Sequence, residues 1–132
     1  MSRTDKILFP CQAATLFQAA LPKVQKEERV FVLPLDANGK VLAKPILVSV
    51  GHTDGTAVIE PGIIFREALK VGAEEIIVAH NHPSGDPMPS QADIAATREL
   101  KDLAQRLGVV FLDHLVLGAE EGHFVSLAEY MD

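Results

Sequence analysis

Two histidines, a serine and an aspartate carry the most chemical information in this chain. His80 and His82 stand one residue apart at the end of an apolar run, and Ser90 and Asp93 follow within fourteen residues. Imidazoles at that spacing, just past a strand end, can turn toward one point, and the segment between them and Asp93 is long enough to fold back. The set His80, His82 and Asp93 then makes a two-histidine, one-carboxylate metal site with a position left for water, the pattern of a catalytic zinc site. One Zn2+ per chain would acidify that water and make hydroxide available at neutral pH. Hydrolysis further requires a base outside the ligand set and a donor for the developing oxyanion. Ser90 is a candidate donor; for the base, spacing alone does not choose among the carboxylates. The same ligand types also hold iron(II) in oxygenases. Ser90-Gln91-Ala92-Asp93 is also a helix capping box, and the two histidines could be polar members of a Pro/Gly-rich loop, but the joint pattern favours the metal reading over both.

These residues must be positioned by elements legible in the pattern. Cys11 to Leu21 reads as a helix closed by Pro22, and Lys23 to Glu28 as a polar lead-in. Arg29 to Leu35 is a Val/Phe-rich strand, Asp36-Ala37-Asn38-Gly39 a hairpin turn, and a second strand follows from Lys40 to about Val50. Gly51 to Thr56 reads as a loop. Pro61 opens a helix that Gly72 closes. Glu74 to Ala79 is a short strand buried on both faces, and His80 to Pro89 a loop. Ser90 starts a helix that ends before Gly108; Val109 to Leu117 is a strand bent at Asp113-His114, and Phe124-Val125 precedes a short terminal helix. Helices alternating with strands around a hairpin predict helices packed on a mixed sheet, an α/β fold.

Composition narrows the function classes. At 132 residues, 48% hydrophobic and 23% charged, the chain has the make-up of one soluble globular domain. Twelve Lys+Arg against 18 Asp+Glu give a net charge of −6, which disfavours direct DNA binding. The single cysteine, Cys11, excludes an internal disulfide and any multi-cysteine zinc site; it reads as a small buried hydrophobe in a reducing, cytoplasmic protein. Pro10, Gln12 and Gln18 interrupt any leader-like run, and no stretch is long enough to span a membrane. Asp113-His114 on a buried strand suggests a structural hydrogen bond ahead of a supporting part behind the metal ligands. His52 reads as a solvent-exposed loop residue ahead of one approaching the pocket, and Glu74-Glu75 and Glu120-Glu121 as solvated pairs. Oligomeric state is open, a homo-oligomer included.

His-x-His, seven residues, Ser, two residues, Asp resembles the JAMM (JAB1/MPN) metalloprotease motif. The flanking Ala79-His80-Asn81-His82-Pro83-Ser84-Gly85, Pro89-Ser90 and Leu112-Asp113-His114, with Val32-Leu33-x-Leu35-Asp36 and Phe65-Arg66-x-Ala68-Leu69, resemble the RadC-type JAB domain from about residue 25 onward. That resemblance implies a three-layer helix/mixed-sheet/helix fold related to cytidine deaminases. The chain reads as one such domain (residues 1–132, with 1–24 a helical lead-in), and it departs from the family in that no helix–hairpin–helix region is expected in it. It also implies zinc held by His80, His82 and Asp93, with Ser90 stabilising the oxyanion and a glutamate before the first strand as base. The register assigns that base to Glu28; Glu27 would point to the other side of an extended chain. Gly62 stands where the family commonly has arginine. The expected activity is zinc-dependent cleavage of a peptide or isopeptide amide in a peptide or protein substrate. The alternative is a non-catalytic, DNA-repair-associated or protein-interaction module. The order His-x-His then Asp ranks the iron(II) oxygenase low, the absence of His-x-Glu with Pro-Cys-x-x-Cys ranks a nucleobase deaminase lower still, and the absence of His-Glu-x-x-His excludes a zincin.

Overall fold

A computed structural model describes residues 6–51 and 59–131. His52 and most of the loop expected over Gly51 to Thr56 lie outside the described residues. The elements in chain order are α1 (Pro10–Ala20), β1 (Arg29–Leu35), β2 (Ile46–Val50), α2 (Pro61–Lys70), β3 (Glu75–Asn81), α3 (Gln91–Leu107), β4 (Val110–Leu117), β5 (Phe124–Ser126) and α4 (Leu127–Tyr130).

The strands form one mixed sheet in the order β2-β1-β3-β4-β5. β1 pairs antiparallel with β2 and β3, β3 runs parallel to β4, and β5 returns antiparallel on β4. The parallel step from β3 to β4 needs a crossover, which α3 supplies. Alternation along each strand then divides the core between two faces. Phe31, Leu33 and Leu35 of β1, with Ile77, Ala79, Leu115 and Leu117, pack on Ala13, Ala14 and Phe17 of α1. Val30 and Val32, with Ile76 and Val78, meet Ile64, Phe65 and Ala68 of α2 and Leu100 and Ala104 of α3. The result is three layers: α1, the sheet, and α2 with α3. Among the described residues no helix is long and apolar enough to cross a membrane.

Four local expectations change. The second strand does not begin at Lys40. Val41 makes only an isolated bridge to Leu35, and the continuous strand starts at Ile46, after Pro45, which has no N–H to give a ladder. β3 runs on through His80 and Asn81, because both pair with β4, at Val116 and Leu117. The irregularity in β4 falls at Leu112, between the partners of Ile76 and Ile77, rather than at Asp113-His114. Cys11 is exposed, since α1 turns Ala13, Ala14 and Phe17 inward and leaves position 11 on the outer side.

Candidate metal centre

His80 is clamped on the sheet between Val30 of β1 and Val116 of β4, and its side chain is fully buried on the face covered by α3. His82 lies just beyond the strand and is half-buried. Its Nδ1 is 2.9 Å from the Asp86 carbonyl oxygen, which can only accept, so Nδ1 carries the proton and donates. Asp93 occupies the first turn of α3. Its Oδ2 accepts the Ser90 N–H at 2.9 Å, while the Asp93 N–H donates to Ser90 Oγ at 3.0 Å. The capping box and the cluster are therefore the same residues: Asp93 Oδ1 is also 3.1 Å from His80 Nε2, and Oδ2 is 3.1 Å from His82 Nε2.

Glu28 reaches the cluster from the segment before β1. Its Oε1 stands 3.4 Å from His80 Nε2, and the residue is only 7% exposed. Glu27 turns the other way and pairs with Arg29 at 3.8 Å. Ligand-type atoms of Glu28, His80, His82 and Asp93 lie within 4.8 Å of one another. Ser90 is exposed and adjoins the group through Asp93; the cap uses an oxygen lone pair and leaves the O–H proton uncommitted by that bond.

The donor set fits a metal ion. With Nδ1 carrying a proton, His82 Nε2 faces Asp93 Oδ2 at 3.1 Å and His80 Nε2 at 3.2 Å; it either donates a second proton to the carboxylate or, deprotonated, offers its lone pair to an ion. A cation could take the place of the protons that otherwise bridge these atoms. Two ligands on a tetrahedral zinc ion at about 2.05 Å would stand roughly 3.3 Å apart, close to the separations found here. The electrostatics couple the same groups. Burial pushes the Asp93 carboxyl up, but its bonds with His80 and His82 prevail and hold it well below the usual carboxylate range. The Asp93 hydrogen bond pushes His82 up, against its burial.

Two contributors, Asn81 and Thr97, escaped the sequence reading, and a third, His114, was foreseen chiefly as a structural residue. Asn81, the residue between the histidines, is buried; it accepts the Arg29 N–H at 2.7 Å and donates to the Glu27 carbonyl at 3.1 Å and to Gln25 Oε1 at 3.2 Å. It fastens the segment that carries Glu28. His114, expected to make a structural hydrogen bond, does so with Thr97 at 2.7 Å, and its other nitrogen is 2.8 Å from His80 Nδ1. Thr97 was a plain helix residue by pattern. Asn81 falls by pattern in the loop after the strand, so no local signal marked its role.

A family model for the RadC-like JAB domain matches residues 7–131. A UPF0758 protein of Carboxydothermus hydrogenoformans is 44% identical over 103 residues, covering 78% of this chain and 44% of its own length. A UPF0758 protein of Clostridium perfringens is 39% identical over 124 residues, 94% of this chain and 52% of the relative. One from Methanosarcina barkeri is 35% identical over 121 residues, 90% of this chain and 51% of the relative. The chain spans about half the length of these curated relatives.

Proposed function

The chain belongs to the RadC-like JAB domain family, and from that membership we propose that it is a zinc-dependent hydrolase of peptide or isopeptide amides. The observation that carries this reading is the convergence of Glu28, His80, His82 and Asp93 on one point. His80, His82 and Asp93 would hold the ion, leaving a position for water. When bound, zinc supplies a water whose pKa is lowered from 15.7 to about 7 and a Lewis acid for the scissile carbonyl.

Glu28 then acts as base. One carboxylate oxygen takes the proton released as water adds to the carbonyl carbon, and the same carboxyl returns it to the amide nitrogen as the C–N bond breaks. The amine leaves neutral and the acyl half departs as a carboxylic acid. General acid–base work of this kind contributes about 10²- to 10⁴-fold in rate. Ser90 donates its O–H to the oxygen on which negative charge develops. The substrate is a peptide or protein, and the cytoplasm is the setting that fits a chain with one unpaired cysteine.

Elemental analysis of the wild type beside His80→Ala and Glu28→Gln tests the reading, together with turnover of a panel of peptide and isopeptide substrates. The expected result is near-stoichiometric zinc in the wild type and in Glu28→Gln, none in His80→Ala, and a fall in turnover of at least about 10²-fold in Glu28→Gln. Full activity in Glu28→Gln would remove that residue from the mechanism. A wild type that takes up no metal when zinc is supplied would replace the hydrolase with the interaction-module reading.

A further inference from the structure

His80 differs from His82 in how its second nitrogen is satisfied. The partner of His80 Nδ1 is another imidazole, His114 Nε2 at 2.8 Å, and either ring could be the donor. The direction is decided two bonds further on. Thr97 Oγ1 is 2.8 Å from the Asp93 backbone carbonyl, which only accepts, so the single hydroxyl proton of Thr97 is committed there. Thr97 Oγ1 must therefore accept from His114 Nδ1, at 2.7 Å. His114 is fully buried, and among the described residues no ion pair reaches it. An unpaired imidazolium is costly there, so the ring is neutral and holds one proton, already placed on Nδ1. Its Nε2 is then an acceptor, and His80 Nδ1 must donate to it.

We infer that Thr97 and His114 form a buried relay that sets the tautomer of His80 and turns its bare Nε2 toward Asp93, His82 and Glu28. His114 and Thr97 are positioning residues. The relay starts on the backbone of Asp93 and ends on His80, so it also registers the first turn of α3 against β3 by way of β4. Its use as a metal-holding device rests on the hydrolase reading above; the tautomer assignment does not.

Two measurements separate those failures. Long-range ¹H–¹⁵N correlation spectra of the zinc-free protein, at alkaline pH, report which nitrogen of each histidine is protonated. The proton is expected on Nδ1 of both His80 and His114, and Thr97→Val should abolish the fixed tautomer of His114. A proton on Nε2 of His80 in the wild type overturns the relay whether or not the protein binds zinc. Competition with a chromophoric chelator then gives zinc affinity. His114→Leu should weaken binding by about 10- to 100-fold, the usual effect of losing the group behind a ligating histidine. Thr97→Val, close in shape to the native residue, should weaken it less, and Thr97→Ser, which keeps the hydroxyl, should restore it. A wild type that binds zinc with Thr97→Val and His114→Leu binding equally well would also overturn the relay. A wild type that binds no zinc would overturn the hydrolase reading, and the spectra would still decide the tautomer.

Discussion

Asn81 illustrates how a residue with no atom in the cluster still governs it. Its carbonyl oxygen takes the Arg29 N–H and its amide holds the Glu27 carbonyl, so it grips the chain on both sides of Glu28. The Glu28 carbonyl is held in addition by the Gly51 N–H at 2.7 Å. Replacing Asn81 by Ala strands a part-buried backbone donor and frees this segment. The expected cost is about 1–3 kcal/mol in urea unfolding; on the proposed function, zinc content is retained and kcat reduced, because His80, His82 and Asp93 stay in place while Glu28, the proposed base, loses its anchor. The three ligand candidates and Ser90 were legible from spacing. Asn81 was not, because the value of its amide depends on a strand more than fifty residues away.

At the scale of elements, two glycines decide where the His82 loop rests. Gly85 has φ +88°, a conformation that L side chains rarely adopt, and its carbonyl accepts the Ala119 N–H at 3.3 Å. A Cβ on Gly118 would stand 2.9 Å from His123 Nδ1, 3.0 Å from the His123 carbonyl and 3.1 Å from the Gly85 carbonyl, two of them backbone atoms. Gly118→Ala should therefore cost about 1–3 kcal/mol and weaken zinc binding by moving the loop under His82. Gly108→Ala is the control. It closes α3 at φ +73° with open space around the missing Cβ. It should cost about 1–2 kcal/mol in thermal or urea unfolding and leave zinc affinity unchanged. The turn signals at Asn38-Gly39, Gly72 and Gly108 were readable from local chemistry. The close packing of Gly85 and Gly118 joins two loops and has no local signature.

For the whole molecule, the buried histidines make stability depend on pH in the metal-free state. Full burial pushes the His114 imidazole well below its ordinary value of 6.5, helped by neighbouring His80. As pH falls below 6.5 the unfolded chain binds a proton at His114 that the folded chain refuses. Stability should then drop by up to about 1.4 kcal/mol per pH unit until the folded value is reached. His82 acts in a different window. Its folded value is raised, so its contribution is complete below 6.5 and is lost as pH rises through that raised value. Urea midpoints of metal-free protein measured across the acid range should show the His114 slope, and His114→Leu should flatten it. If the cluster holds zinc as proposed, and only in the folded state, zinc at about 100 times its Kd should add roughly 2.7 kcal/mol at neutral pH.

The sequence by itself determined the helix and strand elements, a mixed sheet with packed helices, and the metal-ligand candidates; the three-layer arrangement came only from the family resemblance. Period-two and helical patterns are local, and His80, His82, Ser90 and Asp93 span one strand end, one loop and one helix start, so their convergence needs no distant partner. The base was different: spacing left it open, and only resemblance to the RadC-type domain pointed to Glu28. The tertiary structure placed Glu28 and not Glu27 beside His80, through the antiparallel register that sets Val30 opposite His80. It also extended β3 through His80, exposed Cys11, and brought His114 and Thr97 behind a ligand candidate. Each of these depends on strand register or on which helix covers which face. A one-residue slip would turn every such side chain to the opposite face, and that choice is made only when the whole sheet assembles.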